Sequence, residues 1–133
     1  MAGKRWRFKV SWPTMQIKIR KSDTVFSIYI RTKAGWTCER CFTTYEPGSS
    51  SLHCSHFHGR GRESTRHDPD NCDCLCFRCH RHFHSYPLEY VDWKRKKMGE
   101  NEFKILEMRS NQYKKRDDKM DLIRAKALLD SLE

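Results

Sequence analysis

Apolar and polar positions alternate strictly over residues 5–20. Trp6, Phe8, Val10 and Trp12, then Met15, Ile17 and Ile19 after Pro13, are interleaved with Arg5, Arg7, Lys9, Gln16, Lys18 and Arg20. Period two on both sides of a Ser-Trp-Pro-Thr break predicts a two-stranded hairpin, apolar on one face and basic on the other. From Asp23 to Lys33 the period lengthens: Val25, Phe26, Tyr29 and Ile30 recur at helical spacing. Asp23 or Ser22 is the expected N-cap there, and Gly35 ends the run. Ser51 to His58 alternates again and predicts a strand, Asn71 to Leu75 a returning strand, and Phe77 to Ser85 a helix. Pro87 and Gly99 bracket a further helix as N1 and C′ residues. Two more are expected, from Glu102 to Met108 and from Asp118 onward, the last with Met120, Ile123, Ala127 and Leu128 or Leu129 in register. Residues 46–51 and 59–70 read as loops, the second carrying Arg60, Arg62 and Arg66. The fold class is α+β, a β-loop-β-α core between an N-terminal basic hairpin and C-terminal helices. The expected divisions are 1–21 for the hairpin, 22–86 for the core and 87–133 for the helical extension, whose roles would be packing, dimer formation or a lid.

Composition sharpens this. Of 133 residues 37% are hydrophobic and 33% charged, so the apolar core is thin and a staple is expected. There are seven Cys. Four of them form the pairs Cys38-x2-Cys41 and Cys76-x2-Cys79, which together can present four thiolates to one tetrahedral zinc ion. The N-terminal run MAGKRWRFKV shows no signal-peptide core, and no stretch is long enough to span a bilayer. A cytoplasmic setting with reduced, metal-ligating Cys is therefore expected, with no membrane partner. Cys54, Cys72 and Cys74 are left over; they read as small buried residues, with a second zinc on Cys72, Cys74 and a nearby His as the alternative.

The formal net charge is +10. Residues 1–33 hold nine Lys or Arg against the single acid Asp23, whereas the other hundred hold eighteen bases and sixteen acids. A basic front on a nearly neutral body fits a polyanion partner, here DNA, against the plainer reading of a solubilising tail. Arg5, Arg7, Lys9, Lys18 and Arg20, with Arg60, Arg62 and Arg66 on the later loop, are the candidate phosphate contacts.

Between the two CxxC pairs stand His56 and Asn71, and His80 follows directly on Cys79 with His84 one helical turn later. Phosphodiester hydrolysis needs an activated water, a cation on the phosphate and surrounding positive charge. His56 suits the general base, because imidazole titrates near neutrality. Asn71 would orient that imidazole or bind the cation through its amide oxygen. His80 and His84 share one helix face and are the tentative ligands of a catalytic Mg²⁺, Mn²⁺ or other divalent cation.

The runs Leu52-His53-Cys54-Ser55-His56-Phe57, Arg66-His67-Asp68-Pro69-Asp70-Asn71 and Leu75-Cys76-Phe77-Arg78-Cys79-His80 resemble the HNH endonuclease family, small phage-borne members near the NinG recombination-protein branch. The resemblance spans residues 22 to 107 and implies a ββα-metal nuclease core stapled by a four-cysteine zinc site. It implies His56 as general base, Asn71 as the motif Asn and His80 as the last motif His. The implied activity is hydrolysis of DNA phosphodiesters, on branched recombination intermediates or as a nickase, in host cytoplasm if phage-encoded, with a homodimer as candidate assembly. Many members carry Asp or His just before the base as a metal ligand, where this chain has Ser55. The cation shell is thus open among His80, His84, Asn71, Asp68, Asp70 and His58. The alternative function is a zinc-stabilised DNA-binding protein without catalysis.

Overall fold

The computed structural model describes residues 17–133; positions 5–16 of the expected hairpin, including Arg5, Arg7 and Lys9, lie outside them. Helix α1 spans Lys21–Lys33. Its cap differs from expectation: Arg20, in extended conformation, is the N-cap, and its N–H donates to Asp23 Oδ2 at 2.8 Å. Asp23 caps from within the first turn, where a carboxylate also meets the positive end of the helix dipole. Phe26, Tyr29 and Ile30 form the buried stripe of α1. Gly35 and Trp36 then take positive φ, at 65° and 54°, and turn the chain into the first CxxC knuckle.

Strands β1 (Leu52–His56) and β2 (Cys72–Cys76) make a two-stranded antiparallel sheet, with Leu52 opposite Cys76 and His56 opposite Cys72. β1 is shorter than the sequence pattern suggests, and β2 keeps the expected length but is shifted by one residue. Asp68 accepts from Asp70 N and Pro69 begins a 3₁₀ turn over Pro69–Asn71, so pairing starts one residue later, at Cys72. Strict alternation gives the sheet two different faces. Leu52, Cys54 and His56 share one with Cys72, Cys74 and Cys76; His53 and Ser55 share the other with Asp73 and Leu75.

Helices α2 (Phe77–Ser85) and α3 (Pro87–Met98) follow β2 directly. Asp73, fully buried, accepts from Lys94 Nζ at 2.8 Å, Lys97 Nζ at 2.6 Å and Tyr90 Oη at 2.8 Å, and Ser55 Oγ lies 2.9 Å from the same phenol. Phe83 of α2 stacks on Tyr90 with centroids 4.5 Å apart. A buried carboxylate with two ammonium partners is a costly element, and losing one partner would strand the other charge. It fixes α3 to the back of the hairpin.

Gly99, at φ 90°, breaks the chain before α4 (Glu100–Ser110). Helix α5 (Asp118–Asp130) is capped by Asp117, whose side chain accepts from Met120 N. It lies along α1, with Ala125 in the core and Leu128 and Leu129 packed against it. Of the roles expected for the C-terminal helices, packing is the one the structure displays. Among the described residues the chain is α+β, with five α-helices and one two-stranded sheet. None of those helices is long and apolar enough to cross a membrane.

Candidate functional site

Two turns and one strand end build the metal centre. In the first knuckle Cys38 N–H donates to Thr43 O and Phe42 N–H to Cys38 O, at 2.9 and 2.8 Å, with Phe42 at φ 62°. Glu39 ties the knuckle to the hairpin: its N–H donates to Cys74 O at 2.8 Å, and its carboxylate accepts from Cys74 N–H at 2.6 Å. The second knuckle is the junction of β2 and α2, with Cys76 as the helix N-cap. The Sγ atoms of Cys38, Cys41, Cys76 and Cys79 all lie within 4.8 Å of one another. Cys41 Sγ and Cys76 Sγ are 3.8 Å apart, the spacing of two thiolates on a tetrahedral zinc with Zn–S bonds of about 2.3 Å. Hydrogen bonds from the Thr43 hydroxyl and N–H lower the Cys41 thiol to about 6, so a thiolate is accessible near neutrality. Arg40 Nη1 donates to Cys79 Sγ at 3.5 Å, a further cation beside the sulfurs. The four donors can hold a metal ion such as zinc.

The histidines separate into two settings. On the α2 side of the hairpin, His53 Nδ1 and His80 Nδ1 are 2.9 Å apart. With His84, Phe77 and Arg81 they line an open cleft of about 220 Å³. Sharing one proton, the two rings make a hydrogen bond. With both lone pairs turned inward, their spacing matches adjacent ligands on a cation with metal–nitrogen bonds of about 2.0–2.1 Å. Burial, then the nearby charges of His53, His84 and Arg60, lowers the His80 pKa, keeping it in the neutral, ligating form. Sequence reasoning assigned no role to His53. Its signal was parity: His53 shares a strand face with Ser55, the face opposite to that of His56.

His56 turns elsewhere. Its Nε2 is 2.9 Å from Arg66 O, and because a carbonyl only accepts, Nε2 carries the proton and Nδ1 is bare. Burial, then the Arg60 charge, lowers its pKa to about 4. His56 makes no hydrogen bond to His80, but the charge of Arg60 reaches both imidazoles. The Arg60 Nε is buried and has no hydrogen-bond partner among the described residues.

Several expected roles are corrected. Asn71 is wholly buried, accepting from His58 N–H at 2.8 Å and donating to His58 O and Thr65 O at 2.8 and 3.1 Å. Its oxygen and both amide protons are engaged with the backbone inside the fold, none of them with His56, so it pins the loop that follows β1. Asp68 and Asp70 are engaged by Arg109, at 2.8 and 3.0 Å, rather than free for a cation. Arg66 is 2% exposed and clamps Asp23 with contacts of 2.9 and 2.6 Å, so it is a core residue and not a phosphate contact. Arg20 is likewise committed to Glu63, at 2.7 and 3.0 Å, and Arg62 to Asn111 at 2.8 Å. Lys18 remains exposed. The chain matches no protein-family model, no curated protein and no solved structure. The functional reading therefore rests on the residues themselves. Exposed bases do flank the cleft: Arg78 and Arg81 on α2, with the half-buried Arg40, line a groove of about 610 Å³ that shares Phe77 and Arg81 with it.

Proposed function

We propose that this protein is a metal-dependent endonuclease of the HNH type, hydrolysing DNA phosphodiester bonds. The observation that carries the reading is the His53–His80 nitrogen pair at 2.9 Å, half-buried in an open cleft, with His80 next in sequence to the Cys79 ligand. A divalent cation bound by His53 and His80, with His84 lining the same cleft, would supply Lewis-acid stabilisation of the developing negative charge. His56, on the opposite sheet face from His53, is the candidate general base through Nδ1, the nitrogen left bare by the Nε2–H to Arg66 carbonyl bond, and the charge of Arg60 is what reaches both His56 and His80. Asn71 is a positioning residue, holding the loop from His58 to Thr65 so that Arg66 O stays where His56 needs it. Arg60, whose Nε lacks a partner, supplies an N–H and positive charge for a phosphate oxygen. Arg40, Arg78 and Arg81 steer the polyanion to the groove. The four-cysteine cluster is assigned a structural zinc, closing the segment that bears His53, His56, Arg60 and Asn71 and fixing the start of the helix that carries His80, Arg81 and His84.

The family resemblance extends the substrate to branched recombination intermediates, and it places the work in the cytoplasm, that of a host cell if the gene is phage-borne. One site cuts one strand, so a double-strand break requires a dimer or two successive nicks. A second reading, a zinc-stapled DNA binder without catalysis, is favoured by the burial of His56. Incubation of supercoiled plasmid and of junction substrates with Mg²⁺, Mn²⁺ or EDTA separates the two: cation-dependent cleavage supports the nuclease, and binding without cleavage supports the binder.

A further inference from the structure

A second group of metal-ligating side chains lies on the hairpin face turned toward α1. Cys54, His56 and Cys72 each bring one ligand atom to within 4.8 Å of the other two. The register explains the meeting. Cys54 and His56 are two apart on β1, Cys72 is opposite His56, and all three point to the same side. Cys74, opposite Cys54, stays outside the group, so the alternative zinc set of Cys72, Cys74 and a His is replaced by a different one.

We infer that Cys54, His56 and Cys72 form a second metal site, for one thiophilic divalent ion of the zinc class. Two thiolates and a neutral imidazole balance a charge of +2, so the loaded site is neutral where Cys54 and Cys72 are 8% and 4% exposed. Tetrahedral zinc with bonds of about 2.0–2.3 Å needs donor separations of roughly 3.3–3.8 Å, and the three ligand atoms already lie within 4.8 Å of one another. The imidazole is already arranged as metal-bound histidines are, its distal N–H given to a backbone carbonyl, here Arg66 O at 2.9 Å. Three protein donors leave one tetrahedral position for water. Soft sulfur donors select zinc over Mg²⁺, which sets this site apart from the imidazole-lined cleft.

A consequence follows that rests on the proposed function. Only Nδ1 of His56 has a lone pair to offer, and both the bound metal and the general base require it. Occupancy and catalysis then exclude each other, and zinc at this site is an off state.

Cobalt titration of metal-free, reduced full-length protein tests the site directly. The site predicts two equivalents per chain that add thiolate-to-cobalt charge-transfer absorption, apart from any cobalt taken up by the imidazole-lined cleft, which adds none. Cys54→Ala and Cys72→Ala should each abolish or sharply reduce the second increment while keeping the first, and His53→Ala should leave both. The Ala variants retain small buried side chains, and circular dichroism melting checks that they fold; His56→Ala, altered at the third ligand, is the alternative should either fail. Saturation of the charge-transfer absorption at one equivalent, or a second increment that survives in both Cys54→Ala and Cys72→Ala, would overturn the site. A second zinc equivalent should also lower Mg²⁺-dependent DNA cleavage by wild type at least about tenfold, with relief in Cys54→Ala. If wild type never cuts DNA, the nuclease reading fails while the cobalt count still decides the site.

Discussion

The cluster of Cys38, Cys41, Cys76 and Cys79 and the cluster of Cys54, His56 and Cys72 draw on the same strand β2, yet they are assembled by different means. In the first, each pair is a single turn of chain, and one long-range event brings two finished halves together. In the second, Cys54 and His56 are two apart on one strand but the third donor, Cys72, comes from the opposite strand, and the three meet only because the hairpin has one particular register. A slip of one residue would move Cys72 to the opposite face of the sheet and dissolve the group. The four-thiol cluster is thus set by local turns, and the three-donor cluster by strand pairing. Removing a ligand from the first should cost the fold, whereas removing one from the second should cost only an ion.

The largest expected effect breaks that contrast if it fails. Cys76→Ser should lose bound zinc and the cooperative melting transition, since the binding energy of a structural zinc is folding energy. Equal melting with zinc fully retained would refute the structural role. Next comes the buried pair that anchors α1 to the loop after β1. Arg66→Met leaves the Asp23 carboxylate buried with its main partner gone, and should destabilise by about 3–5 kcal/mol in urea titrations. Burial by itself would raise the Asp23 pKa, but hydrogen bonds from Arg66, His67 and the Arg20 N–H hold it well below the ordinary range. A depressed carboxylate contributes stability that is fully present above its unfolded pKa and lost as pH falls, so wild type should weaken below about pH 4. Arg66→Met should show a flatter pH dependence over the same range, and parallel curves would remove the pair from the account.

The cleft gives smaller effects. His53→Ala removes one donor of the close pair, and the cation concentration for half-maximal cleavage should rise about 10–100-fold with little change in melting. An unchanged requirement would place the catalytic cation elsewhere. Smallest is Arg81→Ala on the exposed rim. DNA affinity should fall several-fold, and the slope of log affinity against log salt should become shallower by about one. A salt-independent affinity would sink the electrostatic groove.

Legibility in the sequence followed the same division. The CxxC pairs, the hairpin–helix order and the helices from Pro87 onward could be read because the spacing of local residues decides them. The helix ends were less readable, since Asp23 caps from inside the helix and its proper role is partnership with Arg66, forty-three positions away. For the same reason Arg66 looked like a phosphate contact: a guanidinium in a polar loop carries no mark of the buried carboxylate that receives it. Asn71 stood out correctly as a special residue, but its chemistry is set by two backbone carbonyls and an amide that only the folded loop supplies. His53 needed the face parity of β1 and the helical phase of His80 together. The Cys54–His56–Cys72 group needed the register.

Most direct for the central claim is cleavage of supercoiled plasmid by wild type and by His56→Ala, each with Mg²⁺, Mn²⁺ and EDTA. The account predicts nicked or linear DNA from wild type only with the cation, and a rate about 10²–10⁴-fold lower for a folded His56→Ala protein. Cleavage that survives EDTA, or that His56→Ala performs as fast as wild type, would contradict it.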